Sequence, residues 1–189
     1  MSFLHKCVNR VKREAEKLYS LYKSREFAAT GRKCRFSYPL HLHNGRLIEI
    51  GDNFRCDRRL RLEAFAADGD APKIRIGNNV HITWDCHIGA INRVEIHDNV
   101  LIGSRVLITD HSHGAISAQA LATAPEKRPL RSKGPVVIEE NVWIGEGAAI
   151  LPGVTVGRNA IIGANSVVTC DIPADSVAVG SPARVIRTL

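Results

Sequence analysis

The stretch Ile138-Glu-Glu-Asn-Val-Trp-Ile144-Gly-Glu-Gly-Ala-Ala-Ile150-Leu-Pro-Gly-Val-Thr-Val156-Gly-Arg-Asn-Ala-Ile-Ile162-Gly-Ala-Asn-Ser-Val-Val168 places an aliphatic residue at every sixth position without interruption. Four residues after each of these comes another small or apolar side chain: Val142, Ala148, Val154, Ala160, Ser166 and Ile172. A period of six does not suit a continuing helix, which returns to the same face after about seven residues. It divides evenly into the strand period of two. Gly, Asn and other turn-forming residues fill the intervening positions, so the strand bends once per repeat. Three bends close a triangular coil whose inward aliphatics stack from turn to turn, a parallel β-helix with contacts only between neighbouring coils.

The same spacing extends upstream in two further runs. Ile76, Ile82 and Ile88 form one, and Ile96, Ile102 and Ile108 form another that is shifted by two residues. Between the second and third runs lies a segment out of phase, 109–135. It holds one Val or Ile (Ile116) and carries Gly114, Pro125, Pro129, Gly134 and Pro135. It is read as a loop inserted into the coil. A long loop inside a compact domain is usually functional or disordered; this one opens with Thr109-Asp-His-Ser-His-Gly114, which favours function.

The first 27 residues read as a helix, with an apolar stripe of Leu4, Val8, Val11, Ala15, Leu18 and Tyr22. Lys6, Arg10, Lys12, Arg13, Lys17, Lys23 and Arg25 cover much of the remainder. The stripe is expected to pack on the main domain or on a neighbouring subunit. A basic amphipathic helix touching an anionic membrane surface is the other reading. Residues 1–45 are thus an N-terminal helix and capping segment, and residues 46–187 the β-helix domain with its inserted loop.

Composition agrees with a mainly β chain. Of 189 residues, 34 are Val or Ile and 30 of these lie at or beyond Ile74, while aromatics make up only 5%. β-Branched residues suit strands, so a helix bundle and a doubly wound α/β domain are disfavoured. The net charge of +7 suits an anionic partner such as a phosphorylated cofactor or nucleotide sugar. Nucleic acid is disfavoured, because no basic stretch is interleaved with aromatics. No apolar run reaches the roughly 20 residues that cross a bilayer, and the first residues lack the apolar core of a signal peptide. Five cysteines with no CxxC pair fit reduced thiols in a cytosolic protein.

The segment from Val142 to Thr169 resembles the hexapeptide-repeat acyltransferases, and Gly180-Ser-Pro-Ala-Arg-Val-Ile-Arg187 resembles their closing segment. Galactoside and maltose O-acetyltransferases, and the acetyltransferases of lipopolysaccharide and capsule clusters, are the relatives it suggests. The resemblance covers residues 74–187. It implies a left-handed coil, a cytoplasmic homotrimer with active sites between subunits, and acetyl-CoA as acyl donor without a metal. The acceptor it implies is a sugar, free or carried on a nucleotide or lipid.

In such relatives a histidine at the start of the projecting loop acts as general base, which here is His111. Imidazole is the side chain whose ordinary pKa lies near neutrality. No G-x-S-x-G nucleophile is present, so direct transfer is the simpler scheme. His113 is the rival base or a wall of the acceptor pocket, and Asp110 could orient an imidazole. The resemblance assigns Trp143, Ala164, Thr169, Arg184 and Arg187 to the CoA channel. Glu146 and Cys170 depart from its pattern. The sugar-binding Asn and Asp of the relatives correspond to Thr83 and Ile91, so that pattern is not preserved; Asp85, His87 and Asn92 are the polar candidates nearby. Three rival readings stand beside O-acetyl transfer. One is an N-acetyltransferase acting on an amino sugar or antibiotic. Another is a γ-type carbonic anhydrase, with zinc among His81, His87, His111 and His113. The third is a non-catalytic scaffold.

Overall fold

Many corners of the repeat place an asparagine, or a residue able to replace it, in the left-handed backbone region. Asn53, Asn79, Asn99, Asn141 and Asn159 have φ between 56° and 61°, where a short polar side chain is the best-tolerated alternative to glycine. These corners join strands of two to five residues. In the computed structural model, which describes residues 3–65, 71, 73–115 and 117–188, the strands build three sheets visited in rotation. Ile116 and the side chain of Leu4 lie outside the described residues.

The first sheet runs Ala29–Thr30, Ile48–Ile50, Ile74–Ile76, Val94–Ile96, Val136–Ile138 and Thr155–Val156. The second runs Arg35–Phe36, Arg55–Cys56, His81–Ile82, Leu101–Ile102, Trp143–Ile144 and Ile161–Ile162. The third runs Leu40–His43, Leu60–Ala64, His87–Ala90, Leu107–Thr109, Ala149–Ile150 and Val167–Val168. All these pairings are parallel. An antiparallel pair, Ser176–Gly180 with Ala183–Thr188, is added to the second sheet and closes the coil.

Register explains the hexad. Ile76, Ile96, Ile138 and Val156 are cross-strand partners on the first sheet, and Ile82, Ile102, Ile144 and Ile162 on the second. All are buried, so the core is a set of aliphatic columns parallel to the axis. One circuit takes 18 residues from Asn141 to Asn159 but 20 from Asn79 to Asn99. The difference is the two-residue shift between the first two isoleucine runs. It is absorbed where the long strand His87–Ala90 turns through 91–93.

The coil begins at Ala29, inside the segment 1–45 that the sequence assigns to helix and cap. Its first turn lacks the Val/Ile hexad because its core is aromatic. Phe27 stacks on Phe36 at 5.3 Å, and Phe36 meets Phe54 at 5.5 Å. The helix Phe3–Ser24 docks on this end by its last turns only. Ser20 Oγ accepts from the Phe36 amide at 3.0 Å, and the Tyr19 hydroxyl accepts from the Leu40 amide at 3.0 Å. Of the two partners expected for the stripe, the coil of the same chain is not the one: Val8, Val11, Ala15, Leu18 and Tyr22 are exposed. The contact face lies to one side of the stripe because Tyr19 and Ser20 satisfy backbone donors at the open edge. Among the described residues no helix is long and apolar enough to cross a membrane.

Candidate active site

At Thr109 the coil is interrupted. His111–His113 pairs antiparallel with Leu130–Ser132, and this hairpin carries the insert away from the third sheet. Asp110, at the branch, has no exposed surface. Its Oδ2 accepts from the amides of Asn92 and Arg93 at 2.7 Å each, and its Oδ1 from the amide of Ile91 at 3.0 Å. The wide corner 91–93 thus wraps the carboxylate. Oδ1 also lies 2.9 Å from His111 Nδ1. Burial by itself would raise the Asp110 pKa, but the His111 bond and the three amide bonds outweigh it and hold the group below the usual carboxylate range. An ionised Asp110 accepts, so His111 Nδ1 donates to it, and in the neutral imidazole the lone pair then falls on Nε2. Adjacent residues often point apart; here the strand-to-hairpin turn aims both side chains to the same point.

The His111 ring lies over Gly89. A Cβ built there would sit 3.2 Å from His111 Cε1, so glycine leaves the room the imidazole occupies. Phe65 meets the ring edge-on at 5.7 Å. His87, one strand upstream, is bonded through Nε2 to Glu63 Oε2 at 2.9 Å, and Arg61 donates to the same oxygen at 2.9 Å. Burial tends to raise the Glu63 pKa, yet the bonds from Arg61 and His87 bring it below its ordinary value. Burial lowers that of His87, opposed by the bond to Glu63 and helped by the charge of Arg61. Glu63 and Phe65 escaped the sequence search because they lie outside the hexad runs. The signal was the strand Leu60-Arg-Leu-Glu-Ala64, whose alternation points Arg61 and Glu63 outward.

The remaining candidates fall into two groups. Asn92 is exposed at the corner that binds Asp110, and His113 is exposed on the hairpin. Both border His111. Asp85 does not: it sits at the opposite edge of the third sheet with φ 61°, ion-paired with Arg59. Trp143 stands half exposed on the second sheet between Leu101 and Ile161. Ala164 and Thr169 flank the last strand of the third sheet, and Arg184 and Arg187 are exposed on the final strand of the second. All five lie toward the C-terminal end of the coil from His111. Glu146 is ion-paired with Arg105. His81 stands on the second sheet beside Asp57 and Arg55, apart from His87 on the third. Among the described residues no three His, Cys, Asp or Glu side chains converge as metal ligands. Burial pushes the Cys56 thiol up to about 12 and that of Cys86 up to about 11, which makes both poor nucleophiles.

Two marked concavities lie elsewhere. One, of about 780 Å³, lies on the first sheet near Arg75 and Glu95; the other, of about 580 Å³, lies between the helix and the first coil, lined by Arg13, Lys17 and Arg32. On a single chain the His111 side chain is already largely covered, with 14% of its surface exposed.

A three-sided parallel coil with a hydrogen-bonded Asp–His pair at the root of a projecting hairpin defines the class, a β-helical protein. Comparison with known proteins specifies it further. Residues 135–170 match the model described as bacterial transferase hexapeptide (six repeats). The chain is 37% identical over 161 residues to the lipopolysaccharide biosynthesis O-acetyl transferase WbbJ of Escherichia coli, covering 82% of this chain and 80% of that one. It is 40% identical over 121 residues to the galactoside O-acetyltransferase of Escherichia coli, covering 61% and 54%. Among solved structures, the hexapeptide-repeat acetyltransferase VCA0836 of Vibrio cholerae in complex with acetyl coenzyme A superimposes with a TM-score of 0.65 at 29% identity, covering 93% and 78%. The N-acyltransferase AntD of Bacillus cereus, with dTDP and 3-hydroxybutyryl-CoA, gives 0.74 at 23% identity over 88% and 86%, a likeness of fold. The chain belongs to the hexapeptide-repeat transferase family and is an acyltransferase.

Proposed function

We propose that the protein transfers an acetyl group from acetyl-CoA to a sugar hydroxyl, in the assembly of a surface polysaccharide such as lipopolysaccharide or capsule, with His111 as general base. The observation that carries this reading is the Asp110–His111 pair. A buried, amide-held carboxylate engages Nδ1 of the imidazole and leaves Nε2 for the acceptor. His111 Nε2 takes the hydroxyl proton as the oxygen attacks the thioester carbonyl. The C–O bond forms, the C–S bond breaks, and the CoA sulfur leaves with the proton returned by the imidazolium. Asp110 balances the imidazolium charge at the moment it forms.

The acyl donor lies along the coil toward its C-terminal end, with Trp143, Ala164 and Thr169 beside its pantetheine arm and Arg184 and Arg187 at its phosphates. The coil is left-handed and three chains associate, with the active sites between subunits. The identity to WbbJ over most of both chains supports the O-acetyl and polysaccharide parts of this reading.

The test is CoA release from acetyl-CoA with a panel of sugars and amines. His111→Ala is expected to lower kcat by roughly 10²- to 10⁴-fold while leaving acetyl-CoA affinity within about twofold. Wild-type turnover in that variant would overturn the assignment of the base. Product formed only from amines would replace the hydroxyl acceptor by an amino sugar.

A further inference from the structure

The outer surface of the third sheet changes chemistry at the strand beside His111. In the outward row through Leu107, the coils toward the C-terminus contribute Ala149 and Val167. The coils toward the N-terminus contribute His87, Arg61 and His41 to the same row, and Glu63 to the next. One side is a smooth aliphatic wall and the other a set of paired polar groups. Such a boundary sorts two co-substrates, placing the largely apolar pantetheine arm on one side and a polyhydroxyl molecule on the other.

We propose that Glu63, His87 and Phe65 form the acceptor subsite, and that it holds a neutral pyranose ring through a hydroxyl neighbouring the one acylated. This rests on the reading of His111 as base. A point above Gly89 lies 3.5 Å from His87 Nε2 and 4.0 Å from His111 Nε2. A sugar hydroxyl at His111 therefore brings its ring neighbours onto the Glu63–His87 pair. Glu63 is held ionised, and both its bonds, from Arg61 and His87, fall on Oε2; no bond from a described residue falls on Oε1. An ionised oxygen is a strong acceptor for a hydroxyl hydrogen. Arg61 balances the charge of Glu63, with neutral His87 beside them, so the subsite has no net charge to attract an ammonium or a phosphate at the ring it holds. Phe65, in contact with both His111 and His43, offers an aromatic surface to the apolar face of the pyranose.

The experiment uses the full-length protein, acetyl-CoA and a series of methyl hexopyranosides with their monodeoxy analogues, reading CoA release. At least one hexopyranoside is expected to be acetylated. For it, Glu63→Gln should raise the acceptor KM about 10- to 100-fold, with the acetyl-CoA KM unchanged within about twofold. His87→Gln, which keeps a donor to Glu63, should do less. One deoxy analogue should show the same loss in the wild type and little further loss in Glu63→Gln, as expected when both changes remove one interaction. An unchanged acceptor KM in Glu63→Gln, or rejection of every hexopyranoside while acetyl-CoA is still cleaved with other acceptors, overturns the subsite and leaves the acyltransferase assignment standing. Calorimetry with acetyl-CoA separates the two questions: no binding would bring down the proposed reaction and the subsite together.

Discussion

Asp110 is the residue on which both the local fold and the chemistry converge. It closes the corner 91–93 through three amides and fixes the tautomer of His111. An amide in its place can neither accept as strongly nor balance an imidazolium. Asp110→Asn is therefore expected to lower kcat by roughly 10- to 100-fold, from the strength of hydrogen bonds to charged groups, and to cost about 1–3 kcal/mol of stability at neutral pH. The sign of its pH dependence follows from the depressed folded pKa. The carboxylate's stabilising contribution is complete above the unfolded value of about 3.9 and is lost as pH falls through the folded one. Urea unfolding of wild type and variant between about pH 7 and pH 3 should show the deficit shrinking below about pH 4. A deficit that persists unchanged to the acid end would mean that the charge plays no part. The sequence placed Asp110 beside His111 but left its orientation open. Its partners at 91–93 lie nearly a full circuit upstream.

At the scale of elements, the corners do as much as the strands. Asn53 Nδ2 donates to Asn79 Oδ1 at 3.0 Å, and Asn79 Nδ2 to Asn99 Oδ1 at 3.0 Å, so each corner side chain bridges to the next coil. The backbone at Asn79 has φ 56°, where a residue with a Cβ and no local polar group costs about 1–2 kcal/mol. Asn79→Ala should destabilise by at least that amount, while Asn79→Gly, which removes the backbone strain but also the bridge, should cost less. Denaturant unfolding of the pair checks the order; Ala at or above Gly in stability would show that backbone conformation is not the reason for asparagine. These corners, and the aliphatic columns they align, were legible from spacing alone. The first coil was not, because Phe36 and Phe54 fill its interior where later coils carry Val and Ile. The strand Leu60–Ala64 was legible in principle, through its alternation.

For the whole molecule, one chain leaves the stripe of the N-terminal helix open, where Val11 and Leu18 are each 68% exposed. With sites between subunits, the mass in solution should be three times the 20.7 kDa of the chain, and activity per chain should fall on dilution into monomer. Light scattering with activity across concentration tests this; a fully active monomer would place the site within one chain. The candidate site also depends on the whole coil. Glu63, His87 and His111 come from three successive circuits, and only the parallel register sets them side by side.

By itself the sequence determined the winding of the chain, the position of the insert and the histidine at its root. Each of these is a local property: a six-residue spacing, a break in that spacing, a motif at the break. The tertiary structure alone decided which face of the helix meets the coil, that Asp110 turns to its neighbour, and that a carboxylate and an imidazole from earlier circuits stand beside His111. Those relations depend on how many residues each circuit takes. The two added at 91–93 leave only a shift of phase in the sequence, which does not say where the added residues turn.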